Sequence, residues 1–322
     1  MEINEQLDQV KSIIEKELVT GDHYLNGSLN YVKETTGKML RPRFLLIGAS
    51  FGKRLTKKQE ANLIRLAAAI ESLHVATLIH DDVIDESKLR RGRESVQSKY
   101  SKEYAIYMGD FILSRCFVML SQLDIEQNLL IDMAKAMNQI CIGEMKQHKH
   151  RFNVQVNPIN YLRIVARKTA TLFSISLSAG AYQAKASNET VKLLARIGHE
   201  IGMVFQLVDD LLDYEGLIDD VGKDLEKDMI KGYYNIPVLF AMQSDDHIQR
   251  EELKNLLIDS EHIYEHKEEI IERIKKLGGV DKTKELASRY NSRALKLIDK
   301  LPESEGKQAL LHLASNLIHR DK

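Results

Sequence analysis

The sequence predicts an all-α protein, on two observations: prolines are almost absent, and apolar residues recur at helical spacing over long stretches. Only four prolines occur in 322 residues, Pro42, Pro158, Pro237 and Pro302. Between these breakers the apolar positions fall at i, i+3, i+4 and i+7, the pattern of a helix that buries one face. The segment 63–85 runs through Ile64, Leu66, Ala67, Ile70, Leu73, His74, Thr77 and Leu78 without a breaker. It is apolar nearly all round, which predicts a central, buried helix. Segments 105–123, 127–150, 160–183, 189–215 and 234–243 repeat the pattern, and Gly278-Gly279 predicts a turn before a final polar pair of helices ending near His319. No Gly-, Ser- or Pro-rich linker and no shift in composition interrupts the chain. Residues 1–322 therefore read as a single domain, a helical bundle.

Bulk composition narrows the function classes. With 46 basic and 47 acidic residues and a net charge of -1, the chain has no excess of positive charge for nucleic acid or a polybasic membrane surface. Cys116 and Cys141 have no metal-ligand spacing and read as small buried residues of a reducing compartment. Met1-Glu2-Ile3-Asn4-Glu5 lacks a basic, then apolar, leader, and no uninterrupted apolar run approaches the ~18 residues of a transmembrane helix. The expectation is a soluble, cytoplasmic protein.

Two copies of one acidic box carry the chemistry: Asp81-Asp82-Val83-Ile84-Asp85 and Asp209-Asp210-Leu211-Leu212-Asp213. A single D-D-x-x-D is common on solvated helix faces. Two with the same spacing, one after Leu78-Ile79 and one after Leu207-Val208, are harder to set aside. Carboxylates at i and i+4 on a helix repel one another, so the boxes call for a cation. Hard oxygen ligands suit Mg²⁺, which takes one or two carboxylates and fills its shell with water and phosphate oxygens. A phosphorylated substrate follows as the first expectation.

Three charged loops reinforce it. Lys88-Leu89-Arg90-Arg91-Gly92-Arg93 follows the first box, and Asp219-Asp220-Val221-Gly222-Lys223-Asp224 with Lys227 follows the second. Gly37-Lys38-Met39-Leu40-Arg41-Pro42-Arg43 precedes the long apolar helix. A basic run alone is usually a solvated loop. Beside both acidic boxes, Arg forks and Lys point charges are what a site needs to hold a polyanion against carboxylate-bound metal.

With these residues in place the chain resembles the all-trans polyprenyl diphosphate synthases, class I prenyltransferases that include farnesyl and geranylgeranyl diphosphate synthase. The shared motifs run along nearly the whole chain: G-K-x-L-R-P at 37–42, Glu71-Ser72-Leu73-His74 leading to His80 and the first box, Arg90-Arg91-Gly92, and Gly109-Asp110-Phe111. Gly143-Glu144-Met145-Lys146-Gln147, Lys168-Thr169-Ala170, Phe205-Gln206 and Gly222-Lys223 continue the family's order.

The resemblance implies the isoprenoid synthase bundle, with the boxes facing each other across a deep central cavity and three Mg²⁺ around an allylic diphosphate. It makes Asp81 and Asp85 ligands of two metals and Asp209 the principal ligand of the third, with Asp82, Asp210 and Asp213 as ligands or neighbours of ligands. Helix geometry agrees, since i and i+4 lie within about 40° around the axis. It likewise implies that Lys38, Arg41, His74 and Arg91 bind isopentenyl diphosphate, that Arg90, Lys168 and Lys223 bind the allylic diphosphate, and that Thr169 and Gln206 face the developing carbocation. A homodimer is implied; the alternative is the catalytic member of a two-component enzyme with a small regulatory subunit.

Departures from the pattern fall after the second box, where Glu226, Lys231, Tyr233 and Asn235 replace the family's Gly, Glu, Lys and Thr. One diphosphate-binding lysine is therefore absent at Tyr233, with Lys227 or Lys231 as possible substitutes. Met39 stands where short-chain members often have Arg.

Product length follows from what closes the cavity beneath the first box. Thr77 and Ile70 share the helix face below Asp81, and the resemblance adds Ala76, where short-chain synthases place a bulky ring. Each isoprene unit needs about 5 Å of depth. Small residues at Ala76 and Thr77 leave the shaft open, so a medium or long product of about C30–C40, of the quinone side-chain type, is expected. A floor formed by Phe117, Met137 or Ile140 would stop growth earlier. A short-chain synthase is the runner-up; a terpene cyclase would not need Lys38, Arg41 and Arg91, and a di-iron bundle would need a second E-x-x-H beside 71–74.

Overall fold

The structure is a computed structural model that describes residues 3–34, 37–215 and 228–318. Helices follow one another almost without strands: α1 (Ile3–Glu17), α2 (His23–Glu34), α3 (Leu40–Ala49) and α4 (Lys57–Ile84). A two-stranded hairpin, β1 (Leu89–Arg90) and β2 (Arg93–Glu94), precedes α5 (Val96–Lys99), α6 (Lys102–Ser121), α7 (Gln127–Lys149) and α8 (Pro158–Val165). A single π turn over Ala166–Ala170 leads into α9 (Thr171–Gln183) and α10 (Asn188–Glu215). The chain ends with α11 (Ile236–Ala241), α12 (His247–Leu256), α13 (Ser260–Glu265), α14 (Lys267–Lys276), α15 (Gly279–Ile298) and α16 (Glu305–Leu317). The all-α expectation holds.

Local chemistry sets the boundaries. Thr56 and Gln59 form a capping box that starts α4 six residues before the predicted segment. Asn157 caps α8 with Pro158 in its first turn. Gly278, at φ 75°, makes the turn expected before α15. The predicted helix at 160–183 is instead two helices joined by the π turn. Helices α1, α2 and α12 to α14 carry no long apolar stretch, and the periodicity did not single them out; in α3 the apolar run from Phe44 to Ala49 is buried all round and shows no helical period.

Contacts group the chain into two compact units, residues 1–132 with 176–194, and residues 133–175 with 195–322. In the first, α4 packs chiefly on α6 and also on α1 and α3. Leu66, Ala67, Ala68, Ala69 and Ile70 are fully buried, as predicted for the central helix. Cys116 of α6, also fully buried, donates its thiol to the Ala69 carbonyl at 3.2 Å, and burial pushes that thiol up to about 12. Cys141, expected to be buried as well, instead lies on the exposed face of α7. Gly48 of α3 and Gly180 of α9 let two backbones touch: a Cβ at Gly48 would lie 2.0 Å from the Leu177 carbonyl oxygen, and one at Gly180 would lie 1.9 Å from that of Leu45.

The core of the second unit gathers Tyr161, Val165, Met203, Leu207, Leu211, Tyr214, Ile236, Leu239, Ile270 and Ile274. Two glycines of α10 accept the backbone of the preceding helix, Gly198 against Phe173 and Ser174, and Gly202 against Ala170. By length and composition α4 and α6 are apolar enough to cross a membrane. In α4, 72% of the apolar window is buried, as in a core helix.

Candidate active site

The first acidic box closes the C-terminal end of α4. That end carries the negative pole of the helix dipole, which disfavours anions, so three acids there are a cost to the fold. Asp82 is relieved by Arg90: its buried carboxylate, 3% exposed, accepts Nε at 2.8 Å on both oxygens and Nη2 at 2.7 Å. Asp81 and Asp85, half-buried at i and i+4, form the accessible pair.

Arg90 is held by the hairpin, whose register pairs Leu89 with Glu94 and Arg90 with Arg93. Its two turn residues, Arg91 (φ 53°) and Gly92 (φ 76°), both have positive φ, the signature of a type I′ turn. Asn-Gly is the usual choice there. Arginine in this conformation is strained by about 1–2 kcal/mol, strain of the kind found at functional sites. The Arg91 guanidinium rests on Gly37, where a Cβ would be 2.3 Å from Nη2.

A groove is lined by Gly37, Glu71, His74, Asp82, Arg90 and Arg91. Arg41, in the first turn of α3, interacts electrostatically with Glu71 and Arg91 and is pushed down to about 10 by burial, partly countered by Glu71. It stays charged at neutral pH. Glu71 is 3% exposed, and its Oε2 has no hydrogen-bond partner among the described residues. Burial raises its carboxyl, with Arg41 and Arg91 opposing. The structure thus brings Arg41, His74 and Arg91 together with Arg90, while Lys38 is exposed beside Gly37. Three guanidinium groups near Glu71 and His74 make this E-x-x-H a poor place for a metal cation.

His74 is held well below its ordinary value by burial first and then by Arg41, Arg91 and Arg90. A histidine with a depressed folded pKa binds its proton more readily when unfolded, so its contribution to stability is complete above about pH 6.5 and is lost as pH falls. Substituting His74→Gln is expected to flatten the acid-side loss of stability below pH 6.5, read by urea titrations at successive pH values. Equal slopes for both proteins would refute the placement of His74 among these cations. His80 has a structural role: Nε2 lies 3.3 Å from the Ile106 carbonyl and 3.3 Å from Asp110. A Cβ at Gly109 would sit 2.3 Å from it, which explains the glycine before Asp110.

For product length, Ala76 is 1% exposed and Ile70 fully buried. Thr77 is half-buried, its hydroxyl donating to the His74 carbonyl at 2.8 Å. Of the alternative floor residues, Phe117 is 50% exposed and Ile140 is buried, with Met137 half-buried.

The second box lies in the last two turns of α10, again at a negative helix pole. Its middle acid is again taken up by protein donors. The Tyr161 hydroxyl donates to Asp210 Oδ2 at 2.7 Å and Gln206 Nε2 donates to Oδ1 at 3.0 Å. Burial pushes Asp210 up to about 7, against those two hydrogen bonds and with the charge of Asp209 adding to the rise. Asp209 is exposed and Asp213 half-buried, the accessible i, i+4 pair of this box.

Gln206 is part of a chain. Its amide nitrogen faces Asp210, so its oxygen accepts the Thr169 hydroxyl at 2.8 Å. With that proton committed, Thr169 presents oxygen lone pairs, the polarity a carbocation requires. Thr169 and Lys168 both lie in the π turn, a local widening frequent at functional sites, closed by the Thr171 hydroxyl on the Ala166 carbonyl at 3.0 Å. The Lys168 ammonium is held by Glu144 at 2.9 Å and Gln147 at 3.1 Å, both part-buried contacts. Tyr161 and the π turn had no signal in the motif pattern. Lys223 and Lys227 lie outside the described residues.

The donor sets fit Mg²⁺. Each box keeps two accessible carboxylates, and among the described residues no three His, Cys, Asp or Glu side chains converge into a preformed cage. An ion that retains water and shares phosphate oxygens needs no such cage.

Comparison with known proteins agrees with this geometry. The chain is 30% identical over 313 residues to heptaprenyl diphosphate synthase component 2 of Bacillus subtilis (strain 168), spanning 97% of this chain and 87% of that protein. It is 29% identical over 315 residues to octaprenyl diphosphate synthase of Escherichia coli (strain K12), spanning 97% and 95%. The crystal structure of heptaprenyl diphosphate synthase from Staphylococcus aureus superposes with a TM-score of 0.91 at 32% identity, over 100% of this chain and 99% of that one. The polyprenyl synthetase profile matches residues 22–274, and with the motifs in their order and the same all-helical fold, the chain belongs to the polyprenyl synthetase family.

Proposed function

We propose that this chain is a trans-prenyltransferase, condensing isopentenyl diphosphate with an allylic diphosphate in successive Mg²⁺-dependent rounds of ionisation, condensation and elimination. The observation that carries this reading is the shared plan of the two boxes: the middle acid is taken up by protein donors, and an i, i+4 pair stays accessible. Asp81 and Asp85, and Asp209 with Asp213, would hold Mg²⁺, which neutralises charge on the departing diphosphate when bound. Three ions are proposed from the resemblance. Lys168, with Arg90 and Lys223, binds the allylic diphosphate. Arg41, His74 and Arg91, with Lys38, bind isopentenyl diphosphate. Thr169 and Gln206 turn oxygen lone pairs to the carbocation, and apolar walls exclude the water that would quench it.

The product is proposed to be medium or long, about C30–C40, for quinone side chains. The relatives named for heptaprenyl and octaprenyl diphosphate synthesis support this length, and a relative named "component 2" supports the second reading, a catalytic subunit that needs a small partner. Action as a single domain, a homodimeric state and a cytoplasmic location belong to the same proposal. The deciding experiment is incubation with Mg²⁺, isopentenyl diphosphate and farnesyl diphosphate, with products sized by chromatography. Absence of elongation, with or without a partner subunit, would overturn the proposal.

The shaft argument has its own test. Thr77→Phe is expected to shorten the product by about one or two isoprene units, since a ring fills roughly one helical turn of depth. Ala76→Tyr is expected to shorten it too, at a stability cost of about 1–3 kcal/mol for overpacking a buried site. An unchanged product ladder in both variants sinks the idea.

A further inference from the structure

At the end of α7 the chain folds back on the segment 228–234, and the join is tight. Phe152, at φ 54°, donates its backbone N–H to the Gly232 carbonyl at 2.8 Å. Gly232, at φ 78°, has no room for a side chain, since a Cβ would meet the Phe152 ring at 2.6 Å. Arg151 is fixed in this join. Its Nε donates to the Lys231 carbonyl at 2.7 Å, and its guanidinium lies 5.5 Å from the Phe152 ring centroid and 5.3 Å from that of Tyr233. The Tyr233 hydroxyl is in turn 3.3 Å from His148 Nδ1.

Two further facts give this platform a direction. Gln147, which accepts the Lys168 ammonium, lines a small cavity together with His150, Asn153 and Tyr233. Lys168 has the carboxylate of Glu144 as counter-ion. Arg151 is exposed, and among the described residues no carboxylate pairs with it. Its Nε is committed to the Lys231 carbonyl, and its two Nη groups supply the fork suited to phosphate oxygens.

We propose that Arg151, presented by Tyr233, binds the diphosphate of the allylic substrate beside Lys168, supplying the cation that Tyr233 itself does not carry. Arg151 touches the substrate. Tyr233 is a positioning residue whose ring and hydroxyl hold the guanidinium and His148 in place. Neither Lys227 nor Lys231 is then needed as a substitute: Lys231 serves through its backbone carbonyl. This inference rests on the prenyltransferase reading for the identity of the ligand.

The test uses the full chain with Mg²⁺, its partner subunit included where elongation requires one. Arg151→Gln is expected to raise KM for farnesyl diphosphate about tenfold, the loss of one charge-assisted contact. KM for isopentenyl diphosphate should stay within about twofold, on the same reasoning. Mg²⁺-dependent binding of inorganic diphosphate, measured by calorimetry, should weaken by a similar factor. Arg151→Lys should recover part of the loss, and Tyr233→Lys added to Arg151→Gln should restore the wild-type KM for farnesyl diphosphate. An unchanged KM for farnesyl diphosphate, or both KM values rising together with a lower melting temperature, overturns the assignment. If the wild-type protein does not elongate, the prenyltransferase reading fails, and the calorimetric titration still decides whether Arg151 binds diphosphate.

Discussion

Asp81→Ala is expected to abolish chain elongation without unfolding the protein. The loss should be about a thousandfold or more, the upper range for removing one electrostatic stabiliser of a developing charge, with a metal ligand at stake as well. The stability side should be small. Asp81 stands in the last turn of α4, where the helix dipole disfavours a carboxylate by about 0.3–1 kcal/mol and offsets what its contacts contribute, so the alanine variant should melt close to the wild-type temperature. Asp82→Ala is the contrast, because removing one partner of a buried ion pair is destabilising. Product analysis beside thermal melts separates the two. If Asp81→Ala melts well below wild type, its role is structural and the accessible-pair account of the box is wrong.

Gly180→Ala is expected to be strongly destabilising for the addition of a single methyl. Its Cβ would lie 1.9 Å from a backbone oxygen of Leu45, and backbone cannot rotate away as a side chain can. Overpacking costs about 1–3 kcal/mol and occasionally more. A rigid backbone neighbour puts this site at about 3 kcal/mol or above, a fall of roughly 4 °C or more in Tm for a chain of this size. Gly27 is the internal control. It lies inside α2, a Cβ there meets nothing within 4 Å, and alanine in a helix interior gains about 0.5–1 kcal/mol over glycine. The two substitutions should shift Tm in opposite directions; shifts of the same sign would show that the α3–α9 contact is looser than described.

Much of the site was legible because its chemistry repeats in the sequence. The two boxes announce a cation by spacing alone, and the basic runs beside them identify a polyanion. The middle acids did not reveal their role. Asp82 and Asp81 look alike in one dimension, and only the Arg90 fork separates the residue that braces the box from the residue that faces solvent. Asp210 is likewise set apart by Tyr161, which comes 49 positions earlier and belongs to no motif. The Arg-Gly turn was hidden for another reason: its strands are two residues long and lack alternating apolar positions, so no strand signal frames it. Periodicity found the long helices because packing of an apolar face dictates them. It passed over α12 to α14, whose short, charged sequences are shaped by local caps such as Asp246 and Asp259.

The π turn at 166–170 also limits how this sequence can change length. A π turn accommodates one residue more than the α-helical ladder, and each residue of an α-helix turns the chain by about 100°. Deleting one residue within it would restore a regular helix and rotate α8 against α9 by that angle. Tyr161, which now reaches Asp210 from α8, would swing off that carboxylate, while Phe173 and Ser174 would keep their place against Gly198. Substitutions along this stretch are open to drift; a one-residue gap is not.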